Sequence, residues 1–340
     1  MKFCSRVSAL ALAVVCLGAG LGPTAAVIHD ISDYGAVAGD ATANISNTDA
    51  FNSACAAAEA YDTLLVPKDP SGPFHFTGGM ICTHKTSIEI KLEGDLVASD
   101  NINDLWPDQY DKVDKQWADW FAVEYSTNIS LTGSPDAVVN GLGKRWWTKM
   151  ALGTLPGDKH RPMLFRYRQV TGGSIKHVNV VNAPCFNFEV NVRSFEIAYV
   201  NVSVDRRYQQ ELKATMRAKR YEREGTSPEA LGLPHMVLQP EDLNTDGIDP
   251  SGKDIWIHDC NILNDDDSIA VKPSSGDDEF ANCTENLMIE NMVLTGFGAS
   301  LGSVPAVTNH NCVRNVTFRN ISMPGTGKGI YVKSDPNCVA

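Results

Sequence analysis

Apolar residues alternate with polar ones in short stretches along this chain, and each stretch runs into an Asn, Asp or Gly turn. Segments 175–180, 195–200, 255–262, 287–292 and 316–321 share this shape and occupy one phase. A second phase interleaves with them at 186–190, 247–250, 268–272, 299–304 and 329–333. Within the second phase Ile248, Ile269, Leu301 and Ile330 are separated by 21, 32 and 29 residues. Alternation with period two marks a strand with one buried face. A strand pattern that returns every roughly 20 to 30 residues, broken by Gly, Asn and Pro, predicts a solenoid whose coils bury their faces against one another. The expected fold is therefore all-β, a parallel β-helix forming one domain over 27–340. A Greek-key sandwich is the alternative, but it gives no reason for acidic residues and lysines to recur at one strand phase.

Two stretches depart from the strand rhythm. Residues 48–58 are alanine-rich and predict a short helix, placed to cap the open edge of the first coil as terminal repeats require. Cys55 and Cys82 are candidates to staple that cap, although sequence alone does not fix connectivity. Residues 205–242 are highly charged and helix-prone, and they widen the gap between Phe195 and Ile255 to 60 residues, about two periods. They read either as a surface insertion beside the groove or as an error of gene prediction, and no function attaches to them.

Composition places the chain outside the cell. Residues 1–26 hold a charged start, the apolar run from Val7 to Leu21 and the small residues Thr24, Ala25 and Ala26. That is the order of a signal peptide cleaved near Val27, and no later stretch reaches membrane-spanning length. Six Asn-x-Ser/Thr acceptors begin at Asn44, Asn128, Asn201, Asn282, Asn315 and Asn320, which together predict a secreted glycoprotein. Of nine cysteines, Cys4 and Cys16 fall in the leader. The odd remainder leaves one without a partner, and Cys338, two residues from the end, is the expected one. A net charge of −12 and a pI near 5.1 argue against nucleic acid. An anionic polymer would need a locally basic groove. The cysteine and histidine spacings suggest no zinc site, so neither metal nor cofactor is expected, and the protein is expected to be a monomer.

The chemistry concentrates in two acidic clusters, Asn244-Thr245-Asp246-Gly247-Ile248-Asp249 and Asn264-Asp265-Asp266-Asp267-Ser268-Ile269. Asp246 and Asp266 are twenty positions apart, one coil of a β-helix, so their strands should lie side by side ~4.8 Å apart. Crowded carboxylates raise one another's pKa, which suits a reaction needing one carboxylic acid beside one carboxylate, as glycoside hydrolysis does. A stacked acidic turn or a calcium site is the bland reading. Alternation puts Ile269 and Val271 on one face, with Ser268, Ala270 and Lys272 on the other, so Lys272 is expected to share the groove with the aspartates. His258, in a polar slot beside Asp259, reads as a surface residue.

Several separate stretches resemble glycoside hydrolase family 28, the polygalacturonase family of right-handed parallel β-helices. They are Gly141-Leu142-Gly143-Lys144-Arg145-Trp146-Trp147 followed by Arg161-Pro162, then Asn182-Ala183-Pro184, then Asn244-Thr245-Asp246-Gly247 and Asp266-Asp267. Gly296-Phe297-Gly298-Ala299-Ser300-Leu301-Gly302-Ser303 and Tyr331-Val332-Lys333 follow in family order. The resemblance runs from about residue 30 to the end, apart from 205–242. It implies a pectic polysaccharide substrate and inverting acid–base hydrolysis. Asp266 would be the general acid, and Asp246 and Asp267 would hold and deprotonate the water. Asn244 would orient the carboxylates, and Lys333 would bind a galacturonate carboxylate.

Departures qualify this. Phe297 stands where the family has histidine and Tyr331 where it has arginine, and each is a candidate to stack on sugar. Their exchange points toward rhamnogalacturonan-, xylogalacturonan- or exo-type specificity, or toward an inactive pectin-binding homologue. A lyase is the third reading, poorly served by paired aspartates. Ser268 replaces a cysteine common in the family, so Cys260 and Cys283 are expected to pair around the catalytic turn. Members usually continue for several coils past the Lys333 region, so a shortened C-terminus is also expected.

Overall fold

The computed structural model describes residues 25–102, 106, 117–152, 154–155, 161–225, 244–274, 280, 283–304 and 312–334. Residues 1–24 of the leader, the stretch 226–242, Asn282 and Cys338 lie outside these residues. The named strands pair in parallel with their counterparts in neighbouring coils, building three stacked sheets. The first runs through Ile28–Asp30, Thr63–Val66, Thr86–Leu92 and Thr127–Gly133, then on to Thr284–Leu294 and Val313–Ser322. The second is a ribbon of short strands: Phe74–Phe76, Leu96–Ala98, Val138–Asn140, Asn179–Val181, Asn201–Ser203 and Asn261–Leu263. The third holds Met80–Thr83, Phe121–Glu124, Asp267–Val271, Gly298–Val304 and Ile330–Ser334.

Three long strands, Phe165–Lys176, Phe188–Ala198 and Ile248–His258, serve both the third sheet and the first. Two of them round the corner at glycine. Gly173 and Gly252 both sit at φ +116°, where an added Cβ would come within 1.9 Å of a carbonyl oxygen in the preceding coil. Only glycine fits there.

The register agrees with most of the repeat pattern. Phe195, Ile255, Leu287 and Val316 align across successive coils, whereas Ile175 aligns with Ile197, two residues later than expected. In the other phase Ile248 faces Ile269, but Ile269 is followed by Ala299 and then Ile330, while Leu301 pairs with Val271 and Val332. Residues two apart share a face, so periodicity cannot choose between Ala299 and Leu301.

Inside, Phe121, Phe165 and Phe188 align, with successive ring centroids 5.3 and 4.8 Å apart. Burying each ring contributes roughly 1.5–3 kcal/mol. Helix α1 (Asn44–Ala57) closes the first coils, setting Phe51 edge-on to Phe121 at 5.4 Å. Cys55 bonds to Cys82 across that cap.

Three expectations need correction. Cys260 does not pair with Cys283. Cys283 bonds to Cys312, because they precede Thr284 and Val313, which are register partners, and their Cα atoms lie 4.6 Å apart. Cys260 is a buried free thiol whose sulfur donates to His258 O at 3.1 Å, and Cys185 is likewise buried and free. His258 is buried, not on the surface. Its ring stacks on Trp256 at 3.8 Å, with its nitrogens at Asp259 and Glu196, 2.7 and 3.1 Å away. Asn44 opens α1 as a buried side chain bonded to Ala41 O at 2.5 Å, a poor glycan acceptor. Asn128, Asn201, Asn315 and Asn320 are exposed.

Candidate active site

The two acidic turns meet on the outer side of the third sheet. Asn244 takes a left-handed turn at φ +61° and donates its backbone N–H to Asp266 Oδ2 at 2.6 Å. Two buried asparagines tie the turns together. Asn187 donates to Asp246 O at 2.9 Å, and Asn264 donates to Thr245 O at 3.0 Å and Asp267 O at 2.9 Å. Gly247 is required because a Cβ would meet Ser268 O at 2.4 Å. Ser268 leaves the expected alternation at a bulge between Asp267 and Ile269, and its hydroxyl bonds Asn264 and Thr295 instead of facing the groove.

This frame brings one carboxylate oxygen from each of Asp246, Asp266 and Asp267 within 4.8 Å of the others. Asp246 and Asp267 are buried, and Asp266 alone is half-exposed. Asp267 accepts from Ser300 Oγ at 2.9 Å, from the Tyr331 hydroxyl and from the Lys333 ammonium. Asp266 accepts from its neighbour's N–H at 2.8 Å besides that of Asn244. Asp246 Oδ1 is buried with no hydrogen-bond partner, an acceptor left for a donor that enters the site.

Burial, followed by the charges of Asp249 and Asp266, pushes the Asp246 carboxyl well above the ordinary carboxylate range. Burial also raises Asp266, against the lowering effect of the Asn244 N–H. Asp249, buried three residues past Asp246, is pushed up to about 7 by burial, although Lys272 opposes the shift from 3.4 Å. Lys272 rises to about 12, because the Asp249 and Asp246 carboxylates outweigh the effect of burial. An all-oxygen carboxylate cluster is a donor set that a hard cation accepts, but here two lysines already supply positive charge.

Of the residues singled out from sequence, Asn244, Asp246, Asp266, Asp267, Tyr331 and Lys333 come together. Lys272 stands beside them, committed to Asp249. Phe297 lies at the edge: its N–H donates to Asp266 O at 2.9 Å. The exposed Lys328 ammonium sits over its ring at 4.8 Å and over the Tyr331 ring at 4.2 Å. Sequence reasoning missed Asp249 and Ser300, both inside motifs already quoted. It also gave no role to Arg161, a buried guanidinium that bonds Pro184 O at 3.1 Å and reaches Asn244 Oδ1 at 3.5 Å. Trp147, on helix α2 (Gly143–Ala151), bonds Ala183 O at 3.2 Å, so the lead-in stretches converge behind the Asn244 turn.

Helix α3 (Arg206–Glu224) stands at the same end of the groove. Asp205 caps its start, Gly225 ends it in a left-handed turn, and Tyr208 joins it to α2 through a 2.6 Å hydrogen bond with Thr148. Among the described residues, no helix is long and apolar enough to cross a membrane.

Comparison with known proteins agrees with this architecture. Residues 55–340 match the profile of glycosyl hydrolases family 28. Probable endopolygalacturonase E of Aspergillus niger is 25% identical over 222 residues, covering 65% of this chain and 47% of that protein. Exopolygalacturonase of Platanus acerifolia is 23% identical over 317 residues, covering 91% of this chain and 68% of that one. The crystal structure of endo-xylogalacturonan hydrolase from Aspergillus tubingensis superposes with a TM-score of 0.66 at 17% identity, over 91% of this chain and 68% of that one. The chain spans about half the length of the fungal endopolygalacturonases it matches.

Proposed function

This chain belongs to glycosyl hydrolase family 28, and from that premise we propose that it hydrolyses a galacturonate-containing pectic backbone, by inversion and without a cofactor. The observation that carries the reading is the asymmetry of the trio: one half-exposed carboxyl beside two buried ones, with oxygens within 4.8 Å. Asp266, the carboxyl that a polymer can touch, donates its proton to the glycosidic oxygen as the bond to the anomeric carbon breaks. Its raised pKa suits it to the task in mildly acidic medium. A water held between Asp246 and Asp267 attacks that carbon from the other side and gives its proton to that pair, Asp246 Oδ1 being the acceptor without a partner. Asn244, Tyr331, Ser300 and Lys333 hold the carboxylates in place.

The 4.8 Å separates one oxygen of each carboxyl, whereas the ~6.5–9.5 Å usual of inverting enzymes is counted between whole carboxyl groups. Burial is what favours a water over direct attack. A sugar carbon would have to reach Asp246 or Asp267 through the protein surface, whereas a water needs little room. The signal peptide at 1–26, secretion, a single catalytic unit over 27–340 and a monomeric state are parts of the same proposal.

The test is proton NMR of the first product released from polygalacturonate, xylogalacturonan and rhamnogalacturonan. The product should form as the inverted anomer, without unsaturated ends, and Asp266→Asn should release none. Retention of configuration would replace the water with a covalent intermediate, and unsaturated ends would make the protein a lyase. Binding without release, from folded protein, would make it a pectin-binding homologue. The backbone cleaved fastest identifies the specificity.

A further inference from the structure

Helix α3 has no part in the acid–base scheme, yet one of its faces looks into a cleft of about 420 Å³ whose lining includes Asp265, the residue before Asp266. Arg206, Gln210, Lys213, Ala214 and Arg217 line the cleft. Their spacing of four, three, one and three residues is a single stripe of a helix. The adjacent face, carrying Tyr208, Gln209 and Leu212, is spent on packing against α2 and the floor beneath it. The helix is therefore held in one rotation, with three cations toward the cleft.

The opposite wall is flat: Gly296, Phe297, Gly325 and Gly327, with Gly327 N–H bonded to Gly296 O at 2.7 Å. A Cβ at Gly327 would meet the Phe297 ring at 3.1 Å, so the glycine leaves room beside the ring, over which the Lys328 ammonium sits at 4.8 Å. Asp265 forms the floor and anchors Arg206 through a 2.9 Å bond from Nε. The cleft joins the reacting centre through two adjacent links, since Asp265 precedes Asp266 in the chain and Phe297 N–H bonds Asp266 O.

We infer that α3 and Phe297 form a subsite for a uronate residue of the substrate chain, next to the bond that is cleaved. The cations meet the sugar's carboxylate, and Phe297 offers its face to the ring. The chemistry fits on three counts. The volume lies within the range of small-ligand sites. Guanidinium groups pair with carboxylates in bidentate geometry. A chain of net charge −12 needs local positive charge to hold an anionic polymer. This inference rests on the pectic reading above.

Two measurements on the full chain test it: direct calorimetric binding of defined oligogalacturonides to the Asp266→Asn protein, and KM for the same oligomers with Asp266 intact. Arg217→Gln, and separately Lys213→Met, are introduced into both backgrounds. The same loss of charge on the exposed side of the helix, Lys219→Gln, serves as control. Arg217 is only half-buried, so its variant reads the cleft even if loss of the buried Lys213 unfolds α3. Each cleft variant should weaken binding and raise KM by about tenfold, Lys219→Gln should match the parent, and the differences should vanish on fully methyl-esterified oligomers. If the cleft variants bind like the parent, the subsite is overturned while hydrolysis by the parent still stands. If the parent neither binds nor cleaves the oligomers, both readings fail together.

Discussion

Tyr331 donates its phenolic hydrogen bond to Asp267. The position at which family 28 carries an arginine has thus become a neutral donor committed to a buried carboxylate. Burial and that same bond hold the phenol above its ordinary pKa, so it stays protonated at any pH where the enzyme would work. Tyr331→Phe leaves the ring beneath Lys328 and removes only the bond. A hydrogen bond to a charged group is worth about 1.5–3 kcal/mol, so kcat should fall roughly 10- to 100-fold, with KM within about twofold. Steady-state kinetics on polygalacturonate decide this. A rise in KM alone would make Tyr331 a binding residue.

Lys333 was expected from the family pattern to hold a substrate carboxylate, and its ammonium is on Asp267. If its main duty is to that aspartate, Lys333→Met should lower kcat by about 100-fold or more and leave KM nearly unchanged. If the ammonium leaves Asp267 for substrate, KM should carry the loss instead. The kcat and KM split separates the two outcomes, and Lys333→Arg should recover part of kcat only in the first.

Asp249 makes stability depend on pH. Its carboxyl is held at about 7 in the fold, mainly by burial, against an ordinary value near 4 when unfolded. The folded state thus binds an extra proton between those limits. The group's contribution to stability is greatest below about pH 4 and is lost as pH rises through about 7. The loss amounts to as much as ~4 kcal/mol. Asp249→Asn should therefore raise Tm at pH 7.5 and have little effect at pH 4. A variant less stable than the parent at pH 7.5 would mean that the ion pair with Lys272 outweighs the burial of the charge.

Local spacing carried most of the architecture. The alternation read at Phe195, Ile255, Leu287 and Val316 is the first sheet's register, and the alanine-rich run is α1. Spacing also brought Asp246, Asp266 and Asp267 to one place, because coil neighbours in a solenoid lie about one period apart in sequence. What was not legible depends on distances no period encodes. Arg161 reaches Asn244 across 83 positions. The face that α3 turns to the groove is set by Tyr208 and its partners on α2, outside the repeat altogether. The disulfide differs for a related reason, since the family resemblance suggested Cys260 as the partner of Cys283 while register chose Cys312.

The last prediction follows from that register. Cys283 and Cys312 lie 29 positions apart, one coil, and join the strands Thr284–Leu294 and Val313–Ser322 at their starts. Closing a loop of that length restricts the unfolded chain by ~3.5 kcal/mol on the chain-entropy argument. The bond also secures the strand that leads on to Tyr331 and Lys333. Cys283→Ala with Cys312→Ala should lower stability by about 2–4 kcal/mol and lower kcat as well, because the Asp267 donors lie one coil further on. Cys260→Ala should leave the non-reduced peptide map unchanged, since its thiol is unpaired. Mass spectrometry of the unreduced digest, together with denaturant unfolding of both variants, checks this. A Cys260–Cys283 peptide in the digest would overturn the register assignment of the last three coils.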